Sequence, residues 1–311
     1  MSESVIRARS AHAALALVAA VYGINYIWAK DVMPHWVEPS AFILLRVSGA
    51  SILFALLRFK RWRILPEKKD IPRLFFSGLL GVAGNQLLFF NGLNLTYPVN
   101  ASIIMTITPL LVVVLGVLAG QEILNRQRLL GFLFAGAGAV GLIVLGKELS
   151  GIQSHPLGDV MVLLNASMYA GYLVVVQPLM KKYRPVDVIQ WVFFFGLLIV
   201  IPFGWNGVGE IEWRTLPDLI IAKVVFVVIA TTFLVYLLNL FALSVLGSST
   251  VGLYIYLQPV LATTFAVLSG MENPHPTQLG LGLVVILGVL IGSWKRRHRG
   301  SRKGQAQARM E

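Results

Sequence analysis

Long apolar runs dominate the chain, and the polar positions between them come in short clusters. A membrane-spanning helix needs about 20 mostly apolar residues. Ten stretches meet that need: 11–30, 38–58, 71–93, 98–120, 127–146, 156–179, 187–205, 217–241, 249–269 and 276–294. The segments between them carry Gly, Pro and charge, which stop helices. Several are very short, so successive helices form tight hairpins. No stretch shows the apolar/polar alternation of a barrel strand. The pattern predicts an all-α membrane protein with ten transmembrane helices.

Composition supports this and closes other routes. Hydrophobic residues make up 57% of the chain and charged residues only 13%, against roughly 25% charged in soluble domains. A soluble globule could not cover its surface, and a disordered chain would not be this apolar. With no cysteine, a disulfide framework, an iron–sulfur cluster and a thiolate zinc site are excluded. The histidines at 12, 35, 155, 275 and 298 fall at helix ends or in loops, without metal-ligand spacing, and read as surface groups. No metal or cofactor is expected.

The net charge of +12 would suit a nucleic-acid binder if the basic residues formed one face. They do not. With the N-terminus in the cytoplasm, 21 of the 26 Lys and Arg fall in inside segments and three in outside loops. That is the positive-inside asymmetry of a multi-pass membrane protein with both termini cytoplasmic. Residues 295–311 form a basic cytoplasmic tail whose Lys295-Arg296-Arg297-His298-Arg299 faces the lipid bilayer. No nucleic-acid partner is expected. Trp28, Trp36, Trp205 and Trp213 fall at outer helix ends, and Trp62, Trp191 and Trp294 at inner ends, as an aromatic belt requires. Arg7 and Arg9 precede an apolar run that continues to Trp28. This is too long for a signal peptide, so it reads as an uncleaved first helix. A bacterial inner membrane is the expected location.

The chain also resembles itself. Pro109, Gly120 and Glu122 recur as Pro259, Gly270 and Glu272, and a Gly-rich apolar helix follows each set. The chain therefore divides into five-helix halves, 1–149 and 150–294. Because five is odd, the second half inserts upside down relative to the first. Inverted repeats place a substrate site near the midplane between the halves, and one half rocks against the other.

The repeated Pro, the Gly-x-Glu about a dozen residues later and the Gly-rich helix that follows resemble the EamA branch of the drug/metabolite transporter superfamily. Arg46 in helix 2, Gly158-Asp159 at the start of helix 6 and the stretch Ala166 to Tyr172 add to that resemblance. It covers residues 11–294 and implies a ten-helix exporter of small metabolites. Length, tight loops and a Tyr-rich interior look most like the YddG-type aromatic amino-acid exporters. The chain departs from the pattern at Tyr22-Gly23, where the family often has Trp-Gly. It departs again at Ile123 and Asn273, where the family often has a basic residue.

Two motifs mislead. Gly136-Ala137-Gly138-Ala139-Val140-Gly141 matches a dinucleotide fingerprint letter for letter, but it lies inside a spanning helix rather than a strand–turn–helix. Small residues at that spacing let helices approach closely in lipid. Gly141 to Lys147 approximates a phosphate-binding loop, yet Glu148 stands where Ser or Thr would hold magnesium.

Polar side chains within membrane helices usually face the bundle interior. Tyr22, Asn25 and Tyr26 share one face of helix 1, and Asn165, Tyr169 and Tyr172 share one face of helix 6. Asn85 and Gln86 in helix 3, Ser102 and Met105 in helix 4, Thr232, Tyr236 and Asn239 in helix 8, and Tyr254 and Gln258 in helix 9 complete the expected lining. Pro109 and Pro259 break helices 4 and 9 at corresponding depths and are hinge candidates. Glu122 and Glu272 are gate candidates at opposite surfaces. Arg46 has two readings, a structural or gating role and a substrate carboxylate partner.

Amides, phenols and a methionine without a mid-membrane carboxylate suit a neutral or zwitterionic small molecule with an apolar or aromatic part. The chain is thus expected to be a monomeric secondary or facilitative exporter of neutral or aromatic amino acids and related metabolites. The alternative within transport is a drug or nucleotide-sugar carrier; the latter would call for more basic residues in the cavity. An intramembrane enzyme would need paired acid/base or nucleophilic groups at membrane depth. No such groups stand out in the sequence, so no enzymatic activity is expected.

Overall fold

The computed structural model describes residues 3–58, 65–96, 101, 104–121, 125–150, 156–268 and 276–293. Ten helical segments occur among the described residues: α1 Glu3–Val32, α2 Pro39–Arg58, α3 Lys68–Leu95, α4 Thr108–Leu118, α5 Arg126–Ser150, α6 Pro156–Lys181, α7 Pro185–Gly209, α8 Asp218–Leu246, α9 248–268 and α10 Pro276–Ser293. Within them, α1, α2, α3, α6, α7 and α8 each contain a stretch long and apolar enough to cross a membrane, and α4 and α10 supply shorter apolar helices. The chain is an all-helical membrane protein.

Local sequence explains the ends. Pro39, Pro156, Pro185 and Pro276 open their helices, where a missing N–H costs nothing and φ is already helical. Asn125 caps α5 by accepting the Arg128 N–H at 2.8 Å. Gly247 separates α8 from α9 at φ 85°, and Gly120 follows α4 at φ 65°; both angles favour glycine.

The packing treats the two halves alike. α2 lies along α7 and α5 along α10. α1 packs on α8 and α9, as α6 packs on α3 and α4; α2 also meets α8, as α7 meets α3. Exchanging the first five helices for the last five maps these contacts onto one another. The main core joins α1, α2, α3, α6, α7 and α8 around Phe42, Phe54, Tyr172 and Phe193. A second cluster, with Phe132, Ala135, Val285 and Val289, binds α5 to α10. Glycines permit the close crossings. A Cβ on Gly158 would stand 2.9 Å from the Gly92 carbonyl and from the Thr96 N–H, where α6 crosses α3. Beside it Thr96 donates to Asp159 Oδ1 at 2.6 Å. The Gly136–Gly141 stretch serves the same end: a Cβ on Gly138 would lie 2.8 Å from Val285 of α10. Exposed Ile52, Leu118, Leu198, Phe203 and Leu283 cover the outer face with apolar surface, which lipid accepts and water would not.

The helices deviate from α geometry in matched places. α3 widens into a π segment at Leu79–Ala83 and α8 at Val227–Leu234. α4 begins after a turn at 106–107, and α9 tightens into a 3-10 turn at Tyr254–Tyr256. Pro109 and Pro259 each occupy the first turn of the α-helix that follows.

The expected helices reappear with shifted ends. α1 extends back to Glu3 and α5 on to Ser150, because hydropathy fades at the membrane surface while backbone hydrogen bonding does not; α8 runs through the still apolar 242–246 and stops at Gly247.

Candidate functional site

The irregular turns surround a space of about 570 Å³ between the halves. Tyr22 and Asn25 of α1, Arg46 of α2, and Asn85, Gln86, Phe89 and Phe90 of α3 line one side, with Met105 just before α4. Asn165 and Tyr169 of α6, Tyr236 of α8, and Ile255 and Gln258 of α9 line the other. None of these lining residues is acidic. A smaller space of about 240 Å³ adjoins it, sharing Tyr22, Tyr169, Ile255 and Gln258 and extending past Asn239 to Tyr254.

The π turns set the polar groups. A widened turn leaves backbone carbonyls to be satisfied by side chains. In α8 the Thr231 and Thr232 hydroxyls both donate to the Val227 carbonyl, at 2.7 and 2.8 Å. Their lone pairs then face α2, where Arg46 donates from Nε to Thr232 Oγ1 at 3.0 Å and from Nη2 to Thr231 Oγ1 at 3.5 Å. In α3 the Gly81 carbonyl accepts from the Tyr236 hydroxyl at 2.8 Å. That hydroxyl in turn accepts from Gln86 Nε2 at 3.4 Å. Arg46 is 3% exposed, and its guanidinium lies over the Phe90 ring, 4.3 Å from the centroid. Asn165 donates to the Asn85 carbonyl at 2.7 Å.

Of the residues expected at the site, Tyr22, Asn25, Asn85, Gln86, Met105, Tyr169, Tyr236 and Gln258 lie together on this space. Tyr172 does not reach it. It is buried between α6 and α3, with its ring filling the hollow left by Gly81. Tyr254 lies at the smaller space and bonds His12 at 2.9 Å. That contact corrects the reading of His12 as a surface group: α1 starts early enough to pack it against α9. Pro109 is buried in the first turn of α4. Pro259 lies in α9. Ser102, Glu122, Glu272 and the side chain of Tyr26 lie outside the described residues. Phe89, Phe90 and Ile255 also line the space, and the hydropathy pattern does not mark them, since apolar residues in an apolar helix carry no signal of their own.

An ion pair and an ion cluster tie the helix ends. Lys223 of α8 pairs with Asp31 of α1 at 2.7 Å. Lys182 pairs with Asp70 and Glu67, both at 2.6 Å, and Tyr183 donates to Asp70 at 2.7 Å. The Lys182 and Lys69 ammonium groups hold the Glu67 carboxyl below its ordinary range. Partial desolvation opposes charge on Lys182, but its hydrogen bonds to Asp70, Glu67 and Tyr183 prevail and raise its pKa.

The sequence profile of the EamA-like transporter family matches residues 9–144 and again 156–294. The chain belongs to that family. EamA-like transporters belong to the drug/metabolite transporter superfamily, so the chain is a transporter and not an enzyme. An uncharacterized transporter from Archaeoglobus fulgidus is 27% identical over 92% of this chain and 98% of its own length. The threonine/homoserine exporter RhtA of Escherichia coli K12 is 27% identical over 85% of this chain and 84% of its own. One protein of known crystal structure superposes with a TM-score of 0.71 at 17% identity, covering 91% of this chain and 96% of that one. That likeness concerns the fold alone.

Proposed function

We propose that this EamA-like transporter is a secondary or facilitative exporter of neutral amino acids, aromatic ones above all, and of related small metabolites. The two halves, 1–149 and 150–294, act as inverted five-helix repeats with ten spans and cytoplasmic termini. They rock about the breaks at Pro109 and Pro259 to open the cavity to each side in turn. The carrying observation is the lining: amides, phenols and aromatic rings around one buried Arg, with no carboxylate among the described lining residues. Phe89, Phe90 and Tyr169 offer rings for an aromatic side chain. Tyr22, Asn25, Asn85, Gln86, Met105, Tyr236 and Gln258 complete the contacts with the substrate. A cationic drug would meet Arg46 and no counter-charge, which disfavours it. The kinship with a threonine/homoserine exporter supports an amino-acid substrate. The excess of Lys and Arg in alternate loops supports the orientation.

The test is uptake of radiolabelled Phe, Trp, Met and Thr and of a cationic drug into proteoliposomes, with and without a pH gradient. Saturable uptake of neutral amino acids, lost in Tyr169→Ala and Gln258→Ala and indifferent to the gradient, is the expected result. Gradient-driven uptake of the cation alone overturns the proposal.

A further inference from the structure

The cavity contains a charge that the protein leaves uncompensated. Arg46 uses Nε and Nη2 on two threonine hydroxyls, which are neutral, while Nη1 is buried and has no hydrogen-bond partner among the described residues. A buried guanidinium without an anion is costly to hold, and the Phe90 ring beneath it compensates only in part. Three amide oxygens face the opposite need: among the described residues, Asn25 Oδ1, Gln86 Oε1 and Asn165 Oδ1 are buried without partners. Two of them are held in that orientation by their own nitrogens. Asn165 Nδ2 donates to the Asn85 carbonyl. Gln86 Nε2 donates to a Tyr236 hydroxyl that has already spent its proton on the Gly81 carbonyl. Neither amide can turn over without losing a bond, so each presents its oxygen. One cavity thus holds an unmatched buried donor cation and a set of unmatched acceptors.

We propose that Arg46 and the amide oxygens of Asn25, Gln86 and Asn165 form a head-group subsite for an α-amino acid, the carboxylate on Arg46 and the ammonium on the amides. This rests on the transport reading above and sharpens it: both charges of the solute are required. Thr231 and Thr232 act as positioning residues that hold the guanidinium plane. A carboxylate on Arg46 makes charge-assisted bonds, and replacing it with a neutral amide should cost binding roughly thirty-fold.

The experiment is competition with labelled phenylalanine in counterflow, using phenylalaninamide, which lacks the carboxylate, and 3-phenylpropionate, which lacks the ammonium. For wild type, both competitors should be weaker than phenylalanine by about thirty-fold. Arg46→Gln should bring phenylalaninamide within about threefold of phenylalanine, and Arg46→Lys should fall between, since it keeps the charge but not the planar fork. Asn165→Leu should relieve the penalty on 3-phenylpropionate and leave that on the amide. If phenylalaninamide matches phenylalanine in wild type, or Arg46→Gln keeps the full ratio, the subsite is wrong and the transport reading survives. Should phenylalanine not be carried, thermal stabilisation of detergent-solubilised wild type by 3-phenylpropionate against its primary amide decides the matter. Stabilisation by the acid alone upholds the subsite while the transport reading falls. Equal stabilisation, or none by either, overturns the subsite too.

Discussion

Gly288 and Gly280 stand two turns apart on α10, and the same substitution should have opposite consequences at each. A Cβ on Gly288 would lie 2.8 Å from both Cα and Cβ of Ala135 on α5, and closer still to its backbone nitrogen. Ordinary van der Waals contact for such a carbon begins at 3.4 Å, so α5 and α10 would have to part by at least 0.6 Å. The obstacles are backbone atoms and a methyl group without rotamers, so nothing nearby can yield alone. A Cβ on Gly280 meets nothing within 4 Å among the described residues. Replacing Gly by Ala inside a helix is intrinsically favourable by up to about 1 kcal/mol, whereas overpacking costs about 1–3 kcal/mol. Gly288→Ala should therefore come out destabilising and Gly280→Ala neutral to slightly stabilising. For a chain of this size each kcal/mol moves the melting temperature by roughly 2 °C. Thermal unfolding in one detergent, followed by intrinsic tryptophan fluorescence, should show Gly288→Ala a few degrees below wild type and Gly280→Ala at or above it. Equal shifts for the two variants, or a stabilised Gly288→Ala, would refute the close crossing of α5 and α10.

Tyr236→Phe leaves the Gly81 carbonyl in the π turn of α3 without its donor; a loss of about 1–3 kcal/mol is expected, read as a lower melting temperature. Tyr254→Phe removes the bond to His12 and should change the transport rate more than the apparent affinity, measured as a split between maximal velocity and half-saturation. The Glu67–Lys182 cluster gives a pH signature. Because the Glu67 pKa is depressed in the fold, its contribution is present above the ordinary value of 4.5 and is lost as pH falls below it. The raised Lys182 pKa makes its contribution present below the ordinary value of 10.5 and lost only at more alkaline pH. The melting-temperature gap between wild type and Lys182→Ala should be flat from pH 6 to 9, close below pH 4.5, and narrow at high salt.

Helix number and order were legible because a twenty-residue apolar run reports its own transfer energy, whatever its neighbours do. The polar lining was largely legible for the same reason: Asn25, Gln86 and Asn165 are too costly in lipid to face outward. Partnership was not. Arg46 and Thr232 are 186 positions apart, and nothing in either helix names the other, so the sequence carries no sign of the threonine pair that holds the guanidinium. Tyr172 shows the angular limit. Three residues along a helix fall short of a full turn by about 60°, enough to leave Tyr169 on the cavity and turn Tyr172 onto Gly81. The π turns have no hydropathy signature at all, since they change hydrogen-bond register and not composition.

Gln86 and Tyr236 occupy the same place in the two halves, 150 positions apart, the spacing that separates Pro109 from Pro259, and they touch. Contact between equivalent positions is what a two-fold axis produces in a dimer of identical chains, and there each residue would meet its own copy. Two glutamines or two tyrosines could not reproduce the present chain, in which an amide donates to a phenol that donates onward to Gly81. A directed relay between equivalent positions requires halves that differ at that point, which a fused chain supplies. Covalent duplication thus permits an asymmetry at the centre that no homodimer of either half could have.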